Sequence, residues 1–155
     1  LDWDRTQTLL ETRGGKVILK GILDVEDAKK AVEVGADAIV VSNHGGRQLD
    51  GALSSIRMLE EIVKEVGDKT EIWLDSGIRS GQDVLKAVAM GAKGVMIGRA
   101  WVYGLGAMGE KGVTRSLEVI HKELDVSMAL CGKRDIQDVD RDIVLVPKGF
   151  SGDWA

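Results

Sequence analysis

Residues 42–50 read Ser-Asn-His-Gly-Gly-Arg-Gln-Leu-Asp and follow directly on the apolar run Ala38-Ile39-Val40-Val41. An imidazole titrates near neutrality, so His44 is the natural proton acceptor of the chain. A histidine after a strand is, taken alone, more often structural. Arg47, three positions on, changes that reading, because a guanidinium holds a carboxylate in a two-pronged geometry that fixes its orientation. The pair suits a substrate with a carboxylate beside the carbon that loses its hydrogen. Lys20 ends a second apolar run, where an unpaired charge is costly to bury. It is either a lysine snorkelling from the surface or a positive charge for an anionic ligand edge. Two glycine-rich stretches, Asp75-Ser76-Gly77-Ile78-Arg79-Ser80-Gly81 and Gly98-Arg99, complete the set. Glycine lets backbone N–H groups close on phosphate oxygens, and a helix N-terminus adds a favourable dipole. Each stretch alone is weak evidence; together, in successive units, they point to a phosphate group. The second histidine, His121, falls inside a long helical pattern and reads as non-catalytic.

These residues need elements to bring them together. Short apolar runs at 17–19, 38–41, 71–74 and 94–97 read as strands, and helical patterns occupy 3–12, 25–34, 54–66, 81–90 and 110–131. In the 54–66 segment Ile56, Leu59, Ile62, Val63 and Val66 recur at three and four, as one buried helix face requires. The strands are nearly continuously apolar, which is expected when helices cover a parallel sheet. An internal repeat at an offset of 56 matches Gly21-Ile22 to Gly77-Ile78, Asp27 to Asp83, Lys30-Ala31-Val32 to Lys86-Ala87-Val88, and Gly35-Ala36 to Gly91-Ala92. The glycine after each helix suits a left-handed C-cap. Repeated strand–helix pairs favour a (β/α) barrel over an open sheet, although convergent βαβ units could give the same pattern. In such a barrel the polar strand ends lie on one rim, which is where active sites are built. A complete barrel has eight strands and four are found, so the expected fold is α/β, half of a (β/α)8 TIM barrel. Its open edges invite pairing with another chain, and a homo-oligomer is expected.

Bulk properties narrow the function. With 155 residues, a net charge of −4 and no basic run, the chain carries no nucleic-acid signal. No apolar stretch is long enough to span a bilayer. No cluster of residues suggests a metal. The first residues, Leu1-Asp2-Trp3-Asp4-Arg5, do not resemble a signal peptide and lack an initiator methionine, which is read as a processed or cut chain. The single cysteine, Cys131, agrees with a reducing compartment and is expected to fill the core.

The stretch Ser42 to Asp50, with the spacing to Asp75-Ser76-Gly77-Ile78-Arg79 and to Gly98-Arg99, resembles the FMN-dependent α-hydroxy-acid dehydrogenase and oxidase family. The run from Gly21-Ile22-Leu23 through Gly51-Ala52-Leu53-Ser54-Ser55 is most similar to its bacterial respiratory L-lactate dehydrogenases. The resemblance covers nearly the whole chain and the C-terminal half of the family's catalytic domain. It implies barrel strands five to eight over residues 1–146, with an irregular tail at 147–155. It further implies FMN as cofactor, with Lys20 beside the N1–O2 edge of the flavin, where it would stabilise the reduced ring. Ser42 would sit on the pyrimidine. Asp75, Ser76, Gly77, Ile78 and Arg79 would line the ribityl and phosphate, and Gly98 with Arg99 would close on the phosphate. His44 would take the substrate hydroxyl or α-carbon proton, according to whether hydride or carbanion transfer operates. Arg47 would hold the substrate carboxylate. The implied reaction is oxidation of L-lactate to pyruvate with electrons passed to a quinone-type acceptor. The alternatives are an oxygen-using oxidase of glycolate, lactate or mandelate, another phosphate-binding barrel such as an FMN-dependent isomerase, and a half-barrel that only associates. Many members of the family have glycine where this chain has Ser76. The family's substrate tyrosines, and the aspartate that orients the histidine, lie in the N-terminal half. The 155-residue chain alone is therefore expected to be catalytically poor without a complementing N-terminal half. The expected location is the cytoplasm or the inner face of the bacterial plasma membrane.

Overall fold

The computed structural model describes residues 2–12 and 14–150. Four strands, β1 (Ile18–Ile22), β2 (Ala38–Val41), β3 (Glu71–Leu74) and β4 (Gly94–Val95), form one sheet in the order β1-β2-β3-β4. Every pairing is parallel, with Leu19 opposite Ile39, Ile39 opposite Ile72 and Leu74 opposite Val95. Each adjacent pair is linked by a helix: α2 (Val25–Glu33), α3 (Ser55–Val66) and α4 (Gly81–Ala89). Parallel neighbours in chain order with a helical crossover between each are the repeating unit of a barrel wall. α1 (Trp3–Thr12) precedes the sheet, and α5 (Arg99–Met108) and α6 (Glu110–Leu130) follow it.

The core lies between the sheet and its helices. Ile39, Val41, Ile72 and Leu74 alternate onto one face and meet Leu59, Ile62 and Val66 of α3, Ala28 and Ala31 of α2 and Ala87 of α4. The period of two along the strands and of three and four along the helices sends one stripe of each inward. A smaller cluster of Leu85, Ala89 and Val139, flanked by Leu124, Met128, Ile136 and Ile143, fastens α4 to α6 and to the turns that follow it.

The repeat survives in three dimensions. Adding 56 to the ends of α2 gives the ends of α4 (25 to 81, 33 to 89). Asp24 caps α2 by accepting from the N–H groups of Glu26 and Asp27, and Ser80 caps α4 in a reciprocal box with Asp83. Gly35 and Gly91 follow with φ of 89° and 102°.

Several expectations change. β1 does not stop before Lys20 but continues through Ile22, with a bulge between Lys20 and Ile22 where the register shifts. β4 is only two residues long and pairs on one side alone. α5 has no counterpart in the sequence reading, because Gly104 and Gly106 obscure its helical pattern. Gly104 sits there for packing: its carbonyl meets the space a Cβ on Gly112 of α6 would need. Cys131 is not core; it caps the C-terminus of α6 in an exposed position, beyond an apolar stripe whose Val126 and Leu130 are exposed as well. Of the tail, Phe150 packs on the main core with the Arg57 guanidinium over its ring, and residues 151–155 lie outside the described residues.

Candidate active site

The C-terminal ends of the four strands open into one cleft of about 530 Å³. Its lining includes Lys20 from β1, His44, Gly45 and Arg47 after β2, Asp75 to Arg79 after β3, and Gly98 with Arg99 after β4. Of the residues expected to bind cofactor or substrate or to act on it, only Ser42 is absent from the wall. Its side chain lies beneath the floor, 1% exposed. There its hydroxyl donates to Asp75 Oδ2 at 2.8 Å and accepts from Lys20 Nζ at 3.2 Å and from the His44 N–H at 3.1 Å. Ile78 has its side chain in the core, so only its main chain faces the cleft. His121 lies on an exposed part of α6, away from the cleft.

The charges on the floor are paired. Lys20 Nζ stands 2.6 Å from Asp75 Oδ2, with side chains 37% and 16% exposed. Burial pushes the Asp75 carboxyl up, but the Lys20 ammonium, the Ser42 hydroxyl and the backbone N–H of Ser76 outweigh it and hold the group below the usual carboxylate range. The Asp75 carbonyl is in turn held by the Ser55 hydroxyl at the start of α3, at 2.6 Å. Lys20, within β1 just before its bulge, thus has a fixed counter-charge and keeps its head at the cleft surface.

His44 begins a tight turn, His44–Gly46, in which all three residues have positive φ (57°, 69° and 73°). For a residue with a side chain such a conformation is uncommon and typical of functional loops. Asn43 holds the turn, accepting from Gly45 N–H at 3.0 Å and donating to the Leu53 carbonyl at 3.2 Å. The imidazole lies over Gly21, where a Cβ would stand 2.5 Å from Nε2. Gly21 stood out in the sequence only as part of the repeat and of the resemblance, not as a site residue; a glycine directly after a lysine inside an apolar strand is the signal of a bulge that could have marked it as one. Neither ring nitrogen of His44 nor the Arg47 guanidinium has a partner among the described residues, and both residues line the cleft.

The two glycine-rich stretches differ in what they offer an anion. α4 is closed: Asp83 accepts from the N–H groups of both Arg79 and Ser80, and Ser80 accepts from Asp83 N–H. α5 is open, since Gly98 at its N-cap provides no side-chain cap, and its first residues, Arg99 and Ala100, line the cleft. Arg79 and Arg99 both line the cleft. Gly77 and Gly98 leave free space where a Cβ would stand. An uncapped helix N-terminus, two guanidiniums and two bare main-chain turns suit the phosphate of FMN, and Lys20 suits the electron-rich edge of its ring. The apolar wall for a flat ring comes from Met96, Ile97, Ala100 and Val102, which sequence reasoning missed because no polar chemistry marks them.

Comparison with known proteins gives a consistent picture. A family described as FMN-dependent dehydrogenase matches residues 1–146. An L-lactate dehydrogenase of Caulobacter sp. is 54% identical over 144 residues, 93% of this chain and 37% of the relative. One from Azorhizobium caulinodans is 51% identical over 145 residues, 94% of this chain and 38% of the relative. The chain therefore spans well under half the length of these relatives. Among solved structures, a mandelate oxidase mutant with a monooxide FMN adduct superposes with a TM-score of 0.87 at 47% identity, over 91% of this chain and 45% of that one. A mandelate oxidase with benzoyl-formic acid does so with the same score and identity, over 42% of its chain.

Proposed function

The chain belongs to the FMN-dependent dehydrogenase family, and from that premise we propose that the protein oxidises a small 2-hydroxy acid, L-lactate to pyruvate, and passes the electrons to a quinone-type acceptor. The observation that carries the reading is the shared cleft: a base, a carboxylate-binding cation and an anion-binding helix end face one space. Oxidation removes one hydrogen from the hydroxyl and one from the α-carbon, in total two protons and two electrons. FMN, when bound, supplies the two-electron acceptor. The remaining work belongs to the chain. Arg47 holds the substrate carboxylate and so presents the α-carbon in one orientation. His44, with both ring nitrogens unengaged, takes a substrate proton. Lys20, anchored by Asp75, would present a positive charge to bound FMN and stabilise negative charge on it. Gly98, Arg79, Arg99 and the first turn of α5 hold the phosphate, with Gly77 leaving room for the approach. Ser42 keeps Lys20, Asp75 and the His44 backbone in register from below.

L-lactate and a quinone-type acceptor are favoured by the likeness to L-lactate dehydrogenases at about half identity. The likeness to mandelate oxidase supports a second reading, in which oxygen takes the electrons and the acid is larger. A quinone acceptor would place the protein at the inner face of the bacterial membrane, whereas an oxidase would work free in the cytoplasm. Among the described residues no helix is long and apolar enough to cross a membrane.

The test is anaerobic stopped-flow reduction of the FMN-loaded protein by L-lactate, D-lactate, glycolate and mandelate, followed by reoxidation with a soluble quinone or with air. L-lactate should reduce the flavin fastest, and quinone should reoxidise it faster than air. His44→Gln should slow reduction by about 100- to 10,000-fold with FMN retained. Turnover left intact in that variant contradicts the assignment.

A further inference from the structure

Gly45 joins the candidate base to both anion-binding stretches. It follows His44 directly, and both of its main-chain polar groups are engaged across the cleft. Its N–H is shared between Asn43 Oδ1 within the turn and Ser76 Oγ across the cleft, each at 3.0 Å, and its carbonyl accepts from Arg99 Nη2 at 2.5 Å. Ser76 belongs to the loop after β3, and Arg99 opens α5. A Cβ on Gly45 would stand 2.5 Å from the Arg99 nitrogen and push that arm away, and the φ of 69° there favours glycine. The preceding N–H, that of His44, is held in the same manner by Ser42 Oγ at 3.1 Å, and the two hydroxyls lie 3.4 Å apart. The turn that aims the imidazole is therefore gripped by side chains of the neighbouring strands.

Ser76 has a φ of 82°. A residue with a Cβ is disfavoured there, and glycine would take the conformation freely. Its hydroxyl is engaged with the His44 turn and with Ser42. A strained residue whose side chain is committed to the loop of a reactive group is arranged to act through that group. Arg99 has five N–H donors in a fixed fork, so one arm can hold the Gly45 carbonyl while others take phosphate oxygens.

We propose that Ser76 and Arg99 are positioning residues for His44: by clamping the N–H and the carbonyl of Gly45 they make the aim of the imidazole depend on an anion bound at the N-terminus of α5. The inference rests on the function proposed above, and it extends the role of Ser76 from cofactor wall to orientation of the base.

The experiment compares the wild type with Ser76→Ala and Ser76→Gly. Both variants remove the acceptor that reaches Gly45 from across the cleft and leave the local Asn43 Oδ1 in place. Ser76→Gly also relieves the backbone, so a loss of rate in that variant is not a folding defect. In the FMN-loaded protein the flavin reduction rate should fall at least about tenfold in both, while the KM for L-lactate and the Kd for FMN move less than about threefold. A second measurement does not depend on turnover. In the flavin-free protein, the His44 ring resonances are followed by NMR during titration with inorganic phosphate. They should shift to saturation in the wild type and respond weakly or not at all in Ser76→Gly. Unchanged reduction rates in both variants, or ring resonances in the wild type that ignore phosphate, overturn the proposal. Failure of the functional reading would look different: no flavin binding, or a His44→Gln variant with intact turnover. In that event the phosphate titration still decides whether anion site and imidazole are coupled.

Discussion

At the scale of single residues, the cleft depends on a few contacts with little room for change. His44 rests over Gly21, where a Cβ would come within 2.5 Å of the ring. Gly21→Ala should displace the imidazole, and its φ of 102° adds backbone strain. Flavin reduction should fall by one to two orders of magnitude with FMN still bound, on the principle that a misplacement of about 1 Å costs about 100-fold; a rate within a factor of two of wild type would count against this placement of the ring. Arg47 has no partner among the described residues and is expected to act on the substrate. Arg47→Lys gives up the two-pronged grip, worth about 2 kcal/mol for a charged hydrogen bond, or roughly thirtyfold in kcat/KM for lactate. Asp75 carries a stability argument with a definite sign. Its carboxyl is held below the ordinary value in the folded chain. The unfolded chain therefore binds the proton first as pH falls. The contribution of Asp75 is complete above about pH 4, the ordinary carboxylate value, and is lost as pH drops through the lower folded value. Urea midpoints measured between pH 6 and pH 3 should fall less steeply for Asp75→Asn than for the wild type.

At the scale of elements, two close packings set the geometry around the rim. α4 approaches α6 through Gly81, where a Cβ would run into the main chain at Glu123 and Leu124, and the Gly81 N–H donates to Glu123 Oε2 at 2.9 Å. α5 and α6 cross where Gly104 meets Gly112 with main chain against main chain. The start of α5 carries Gly98 and Arg99, so that crossing also fixes the anion site. Gly112→Ala should destabilise the protein by about 1–3 kcal/mol through overpacking, with a weakened FMN affinity as its second symptom. Thermal unfolding with and without FMN would measure both. The cap of α4 is a gentler probe: Ser80→Ala should cost about 1 kcal/mol, and it should leave the open N-terminus of α5 intact.

At the scale of the whole molecule, the four strands form one stretch of barrel wall. Among the described residues β1 and β4 each pair on one side only, and Ile18 and Met96, on those outer strands or just past them, are 49% and 38% exposed. Edges of this kind are templates for further pairing. A polypeptide of these 155 residues, produced as such, should sediment as species larger than its 16.7 kDa mass, and should bind FMN more weakly than a protein of the full length of its relatives. A monodisperse monomer with tight FMN binding would be the contrary result.

What could be read from the residues alone was whatever depends on near neighbours. The alternation of strand and helix, the buried stripe of α3 and the matched caps of α2 and α4 follow from periodicity over three or four positions. His44, Arg47 and the two glycine-rich stretches stood out as strand-end chemistry for the same reason, as did the likeness to a flavin family. α5 escaped because its glycines serve a distant partner, and Cys131 was misplaced because an apolar pattern does not reveal whether another element covers it. The folded chain alone decided which groups meet: Lys20 with Asp75, Gly21 under His44, Ser42 beneath the floor, and Gly45 held between Ser76 and Arg99. Those contacts join segments far apart in the chain, and strand order and register bring them together.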